Sequence, residues 1–86
     1  MDDTAKLKLI FGKNVKYYRL QKKLSQEKLC ELLDISVGFL SHIEIGLESP
    51  SFETIAKLCN VLEIEASNLF DQAILTKHIP DRITDL

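Results

Sequence analysis

The sequence predicts an all-α domain in which five short helices share one compact core. Three observations support this fold class. Apolar residues recur every three or four positions along most of the chain, serines stand directly before several of these stretches, and no strand-like alternation is visible. A length of 86 residues is enough for one domain with a modest core.

The composition is typical of a soluble globular protein and favours the cytoplasm. Apolar residues make up 45% and charged residues 28% of the chain, and the apolar runs are too short to span a membrane. The N-terminal residues do not resemble a signal peptide. Cys30 and Cys59 are too few and too far apart for a zinc motif or a disulfide framework, so we interpret both as buried thiols. A redox pair is the alternative.

Charge is distributed unevenly along the chain. The total is −2, but residues 1–28 contain eight basic and three acidic residues, whereas residues 29–86 contain three basic and ten acidic residues. A local positive field can attract a polyanion such as nucleic acid even when the total charge is negative. The alternative is that the lysines form only the solvated face of one helix.

The first predicted helix begins near Thr4 and ends near Lys22. Phe11, Val15 and Tyr18 follow helical spacing and are expected to face the core. Gly12 lies inside this helix, where glycine is less favourable than alanine by about 1 kcal/mol. A close contact with another helix would explain why glycine occupies this position.

The stretch from Ser25 to Gly46 predicts two short helices joined by a tight turn. Ser25 and Ser36 are expected to cap them, because a serine hydroxyl accepts a hydrogen bond from a free backbone N–H of the first turn. Asp34 interrupts the pattern between the helices, and Gly46 ends the second one. The expected apolar residues are Leu29, Leu32, Leu33, Phe39, Leu40 and Ile43. This spacing is typical of a helix-turn-helix motif.

Two further helices and an extension complete the predicted architecture. Ser51 is expected to cap the fourth helix, and the fifth is expected to begin near Ala66 and to continue to His78, before Pro80. The expected apolar residues of the fourth helix are Phe52, Ile55, Ala56, Cys59 and Leu62. We assign residues 1–70 to the helix-turn-helix domain and residues 71–86 to a C-terminal extension that could serve dimerisation.

These stretches together resemble the lambda-repressor/Cro-type, or xenobiotic-response-element-type, helix-turn-helix family. The matching stretches are FGKNVKYYRL, LSQEKLCELLDIS, FLSHIEIG, SPSFETIAKLCNVLEI and SNLF, which together extend from about Phe11 to Phe70. Their common order and spacing make the match more specific than a single motif. The resemblance implies a five-helix domain that binds operator DNA as a dimer, with its third helix in the major groove.

The resemblance also implies roles for individual residues. The implied base readers are Val37, Gly38, Ser41 and His42, and the implied phosphate contacts are Lys23, Ser25, Gln26, Lys28 and Gly46. An ion pair between Arg19 and Glu44 is implied between the first and third helices. Four positions depart from the family pattern. Asp34 replaces the usual glycine of the turn, Cys30 replaces the usual small residue of the second helix, Ile45 replaces a usual polar residue, and Glu48 lies in a loop that is often basic.

The predicted function is that of a transcriptional regulator, most simply a repressor, that binds a near-palindromic operator as a homodimer. A restriction–modification controller or a phage or plasmid regulator would fit. Leu69, Phe70 and Ile74 are the expected dimer contacts, although Phe70 and Ile74 could instead fold back onto the core. The alternative is a protein-interaction module, similar to an antitoxin, in which DNA contact is secondary. An enzyme, a metal site and a cofactor are not expected, because the sequence contains no metal-spaced cluster, glycine-rich phosphate loop or plausible catalytic triad.

Overall fold

The computed structural model describes residues 2–81 and confirms the all-α class. Four α-helices, not five, are followed by two short 3₁₀ helices, and this range contains no strand. The elements are α1 (Asp3–Gln21), α2 (Gln26–Leu33), α3 (Val37–Glu44), α4 (Phe52–Leu62), a first 3₁₀ helix (Ala66–Phe70) and a second 3₁₀ helix (Gln72–Thr76). None of these helices is long and apolar enough to cross a membrane. Residues 82–86 of the predicted extension lie outside the described residues.

Every α-helix begins at a side-chain cap. The caps are Asp2, Ser25, Ser36 and Ser51, whose side chains accept hydrogen bonds from the backbone N–H groups of Ala5, Lys28, Phe39 and Thr54. The three serine caps predicted from the sequence are therefore confirmed. Asp34 adopts the left-handed conformation with φ of 57°, which aspartate tolerates better than most residues, so the turn forms without glycine.

All four α-helices and the first 3₁₀ helix contribute to one apolar core. Its buried residues are Phe11, Val15, Leu29, Cys30, Leu33, Leu40, Ile43, Leu58, Leu62 and Leu69. Three predictions for the core are wrong, because Leu32 is 47% exposed, Phe52 is 87% exposed and Ala56 is also exposed. Leu32 lies off the face of α2 that Leu29 and Leu33 bury, and Phe52 lies off the buried face of α4.

The predicted fifth α-helix is wrong, because the chain forms two 3₁₀ helices separated by Asp71. In a continuous α-helix the Leu69 carbonyl would accept from the N–H of Ala73, four residues later. Here that N–H donates instead to the Asp71 carboxylate at 3.0 Å, and the Leu69 carbonyl accepts from the Asn14 side chain at 3.1 Å. Asp71 itself is extended, with φ of −70° and ψ of 114°. Competing hydrogen bonds therefore end the helix at Phe70.

The packing of α1 against α3 depends on Gly12. A Cβ at this position would overlap the carbonyl oxygen of Ile43 and would lie 3.0 Å from the carbonyl oxygen of Glu44. Both obstacles are backbone atoms, which cannot rotate away as a flexible side chain can. The close helix contact predicted from this glycine is confirmed, and it fixes the C-terminal end of α3 against the middle of α1.

Cys30 lies in the core, and we expect it to react slowly with alkylating reagents. Its side chain is 4% exposed, and its thiol donates to the carbonyl oxygen of Ser36 at 3.4 Å. Burial, and then the Glu44 carboxylate, raises the pKa of the thiol, so less of the reactive thiolate is present at neutral pH. Iodoacetamide labelling read by mass spectrometry should modify Cys30 far faster in urea than in the folded protein. Equal rates in the two conditions would contradict its placement in the core.

Candidate nucleic-acid interface

Helix α3 presents the four implied base readers on its outward face. We call Val37, Gly38, Ser41 and His42 the reading surface. Val37, Gly38 and His42 are exposed and Ser41 is half-buried, whereas Leu40 and Ile43 on the opposite face of α3 are fully buried. A Cβ at Gly38 would meet no atom within 4 Å, so the backbone is open at that point. These residues form a nearly uncharged surface that another molecule can approach.

A buried ion pair joins α1 to the end of α3. Arg19 donates from Nε to Glu44 Oε2 at 2.7 Å and from Nη2 to Glu44 Oε1 at 3.1 Å. The third donor, Nη1, reaches the carbonyl oxygen of Leu24 at 2.8 Å. Both charged side chains are at most 5% exposed. A bidentate ion pair of this kind is strong and has a defined geometry, so it fixes the orientation of α3 relative to α1.

Gln26 extends this pair towards the reading surface. Its Nε2 donates to Glu44 Oε1 at 3.0 Å, and its Oε1 accepts from the Ser41 hydroxyl at 3.2 Å. A chain of four side chains therefore runs from Arg19 through Glu44 and Gln26 to Ser41. The family resemblance implied the first link, between α1 and α3, but not the last two, which join α2 to α3. Gln26 is thus held in place by neighbours and remains half-buried beside the reading surface.

The start of α2 holds the other implied phosphate contacts. The Ser25 hydroxyl accepts from the N–H of Lys28 at 3.0 Å, and the positive end of the helix dipole lies beside it. Lys28 is exposed, and its ammonium lies 3.6 Å from the exposed Glu31 carboxylate. Lys23 is also exposed and has φ of 57°. This end of α2 can attract an anion, although Glu31 offsets part of its positive charge.

The turn after α3 has a structural role and offers no positive charge. Gly46 has φ of 84°, and a Cβ there would lie 3.2 Å from the Cα of Leu9, so this turn packs closely on α1. The next two residues, Leu47 and Glu48, are exposed. Glu48 would repel phosphate, so the attraction for a polyanion must come from other parts of the surface.

Asn14 is a positioning residue that the sequence reasoning missed. It is 2% exposed, and its amide nitrogen donates to the carbonyl oxygens of Ile10, Leu69 and Asp71 at 3.0 to 3.1 Å. The sequence contains a signal for this role, because Asn14 is a polar residue on the same face of α1 as Phe11 and Tyr18, which are expected to face the core. Its contacts attach the two 3₁₀ helices to α1.

The residues expected to form a dimer contact separate into two groups. Leu69 is fully buried and Ile74 is 2% exposed within the single chain, so neither has surface to offer a partner. For Ile74 the structure favours the alternative, in which this segment folds back within the same chain, here onto α1. Phe70 remains 44% exposed, with its ring 5.4 Å from that of Phe11.

Residues 15–69, from the middle of α1 to the end of the core, match a family model described as helix-turn-helix. A curated relative, the uncharacterized HTH-type transcriptional regulator YazB of Bacillus subtilis (strain 168), is 37% identical over 60 residues. The match covers 70% of this chain and 87% of YazB. The chain belongs to the helix-turn-helix family of transcriptional regulators. The fold of this family is a DNA-binding fold.

Two longer relatives extend the comparison of this helix-turn-helix protein. The HTH-type transcriptional regulator SinR of the same Bacillus strain is 30% identical over 70 residues, which are 80% of this chain and 63% of SinR. The uncharacterized regulator YqaE, also of that strain, is 30% identical over 60 residues, or 70% of this chain. This match covers 52% of YqaE, so the chain spans about half the length of that relative. These relatives are transcriptional regulators and not enzymes.

Two solved structures resemble the helix-turn-helix fold described above. The restriction-modification controller protein C.AhdI from Aeromonas hydrophila superposes with a TM-score of 0.68 at 33% identity, over 73% of this chain and 96% of that one. The clp gene regulator ClgR from Corynebacterium glutamicum gives a TM-score of 0.69 at 27% identity, over 73% of this chain and 67% of ClgR. The shared part is therefore nearly the whole of C.AhdI.

Proposed function

We propose that this protein is a sequence-specific DNA-binding regulator that represses transcription by binding a near-palindromic operator as a homodimer. Helix α3 would enter the major groove, where each base pair presents its own pattern of donors, acceptors and methyl groups. Ser41 and His42 carry polar atoms suited to base edges, and Val37 offers an apolar surface to a thymine methyl. Gly38 allows the backbone of α3 to approach closely.

The observation that carries the proposal is the buried support beneath the reading surface. Base recognition needs side chains held at fixed positions, since each good contact discriminates by about 1–3 kcal/mol and depends on geometry. Ser41 is held by Gln26, Gln26 by Glu44, and Glu44 by Arg19. A surface of this kind would be unnecessarily rigid if α3 were only a solvated helix. The relatives, which are described as transcriptional regulators, support the same function.

A homodimer would place two α3 helices in successive major grooves about 34 Å apart. Exposed apolar surface beside Phe70 supports a contact between copies there. Phe70 and Leu7, which is 51% exposed, line a groove of about 210 Å³ together with Pro50 and Ile55. Exposed apolar patches of this kind commonly mark interaction sites. Phe70 is thus the one residue of the expected dimer contact that we retain.

The proposal is tested by selection from random double-stranded DNA, followed by titration of the enriched fragments at several salt concentrations. We expect an enriched site with two related halves, bound more tightly than random DNA of the same length. If no fragment is bound better than random DNA at low salt, the proposed function is wrong. Sedimentation of the protein with and without the enriched site then gives the number of copies bound.

Substitutions at His42 and Lys23 should separate base reading from backbone attraction. We expect His42→Ala to change which sequences are enriched, because the side chain lies on the reading surface. We expect Lys23→Ala to weaken binding to all sequences alike. The slope of log K against log salt should fall by about 1, the value for one lost phosphate contact. Both residues are exposed, so neither change should unfold the protein. An unchanged sequence preference in the His42 variant would remove that residue from the reading surface.

A protein-interaction module is the second candidate, and the apolar side chains around the end of α3 favour it. Ile45 and Leu47 are 62% and 61% exposed, and Phe52 at the start of α4 is 87% exposed. Such residues could contact a partner protein, while the acidic Glu48 beside them disfavours contact with DNA. Failure of the DNA selection, together with stable binding of one defined partner, would favour this function.

A further inference from the structure

A basic cleft lies at the junction of α1, the end of α3 and the segment after the second 3₁₀ helix. We define the basic cleft by Lys13, Lys16, Lys77 and His78, which line a cavity of about 410 Å³ with Ile45 and Ile79 among the apolar walls. Lys13 and Lys16 are half-buried, and Lys77 and His78 are exposed. Residues more than 60 positions apart in the chain thus place three ammonium groups and one imidazole around one space.

The return of the chain after Phe70 brings these residues together. Asn14 holds the carbonyl oxygens of Leu69 and Asp71, and Ile74 is buried. The ammonium of Lys77 then lies 4.3 Å from the centre of the Tyr17 ring, a favourable cation–π contact. The segment that carries Lys77 and His78 is therefore held against α1.

The basic cleft adjoins the reading surface. Gly12 touches the backbone of Ile43 and Glu44 at the end of α3, and Lys13 and Lys16 follow one and four residues after it. On the α3 side the cleft is bordered by Ile45, which lies one helical turn after Ser41 and is 62% exposed. A DNA duplex whose bases contact Ser41 would therefore extend past Ile45 towards the cleft.

The charges in the basic cleft are available to an anion. The one acidic side chain among the lining residues, Glu44, already accepts hydrogen bonds from Arg19 and Gln26. Lys16 lies 3.7 Å from Asp81, but Asp81 is 92% exposed, and an exposed pair of this kind is weak. The reading surface carries no lysine or arginine, and Glu31 offsets Lys28. The cleft is therefore a concentration of positive charge beside a nearly neutral reading surface.

We infer that the basic cleft binds phosphates of the DNA backbone next to the bases that α3 reads. This inference rests on the proposed function and adds a contact from outside the helix-turn-helix motif. Lys13 and Lys16 from α1 and Lys77 and His78 from the C-terminal segment donate to phosphate oxygens. These contacts position α3 in the groove and carry no sequence information of their own. They compensate for the missing positive charge in the turn after α3.

The test uses the full chain and a fragment enriched from random DNA. Binding is measured between low and moderate salt for the unchanged protein, for Lys77→Gln and for the double variant Lys13→Gln with Lys77→Gln. The matched control is Lys57→Gln, since Lys57 is an exposed lysine on α4 and does not line the cleft. Circular dichroism of each variant checks that the helices are retained.

The expected result is a weaker salt dependence that the control does not share. The slope of log K against log salt should fall by about 0.9 for each phosphate that the variant no longer neutralises, while the enriched sequence stays the same. Cleft variants with the slope of the Lys57→Gln control would overturn the inference and leave the proposed function intact. If the unchanged protein binds no fragment better than random DNA, both the function and the inference fail.

Discussion

Replacing Gly12 by alanine is expected to lower the free energy of unfolding by about 3 kcal/mol, near the upper end of the usual cost of overpacking. Alanine is the better helix former, so an isolated α1 would gain about 1 kcal/mol from the change. The added Cβ, however, would overlap the Ile43 carbonyl oxygen and crowd that of Glu44. Helix α3 would have to move away from α1, which would also strain the buried ion pair.

Gly38→Ala is the matched control for this prediction. Gly38 lies in α3, and a Cβ there would meet no atom within 4 Å. The control should therefore gain stability, by up to about 1 kcal/mol. Urea unfolding followed by circular dichroism measures both variants. If Gly12→Ala proves as stable as the unchanged protein, the close contact between α1 and α3 is not as described.

Replacing Glu44 by glutamine is expected to cost about 3–5 kcal/mol of stability, the usual result of removing one partner of a buried pair. Glutamine has nearly the same shape but is neutral and has only one acceptor oxygen. The Arg19 guanidinium would remain buried without a counter-ion, and one of its two hydrogen bonds would be lost because an amide nitrogen only donates. Gln26 would lose its charged acceptor, so the orientation of Ser41 should also become less defined.

Glu63→Gln is the matched control for the ion pair. Glu63 accepts a hydrogen bond from Lys22 at 2.7 Å, which lowers the pKa of the Glu63 carboxyl, but both side chains are exposed. Solvent screens this pair, so its removal should leave the midpoint of urea unfolding unchanged. Equal midpoints for the Glu44 and Glu63 variants would show that burial does not strengthen the Arg19–Glu44 pair. Replacing Arg19 and Glu44 together by leucine should recover part of the stability, because no charge is then left unpaired.

Helices whose ends depend on local interactions were predictable from the sequence. Ser25, Ser36 and Ser51 cap their helices through hydrogen bonds to residues three positions later. Asp34 and Gly46 end α2 and α3 in left-handed backbone conformations, which aspartate tolerates and glycine adopts readily because it has no Cβ. Such preferences act within one turn of a helix, and so the sequence pattern contains them.

Features that depend on distant contacts were not predictable in this way. The fifth helix failed because Asn14, 55 residues earlier, takes the carbonyl oxygen that the helix would have used. Leu32 and Phe52 were misassigned because helical spacing marks an apolar residue without showing whether another element covers it. The Arg19–Glu44 pair came from the resemblance to a family and not from spacing. The basic cleft could not be predicted, because it requires the return path of the chain after Phe70.

Asn14 also determines which parts of the sequence are free to vary. Its side chain donates to the backbone carbonyl groups of Leu69 and Asp71, so these contacts do not depend on the side chains of those two residues. Aspartate has the same shape but would bring only acceptors towards those oxygens, so position 14 tolerates little change. The backbone path from Leu69 to Asp71 thus depends on a side chain of the first helix. Exposed side chains next to Asp71 can therefore be replaced without removing these two hydrogen bonds.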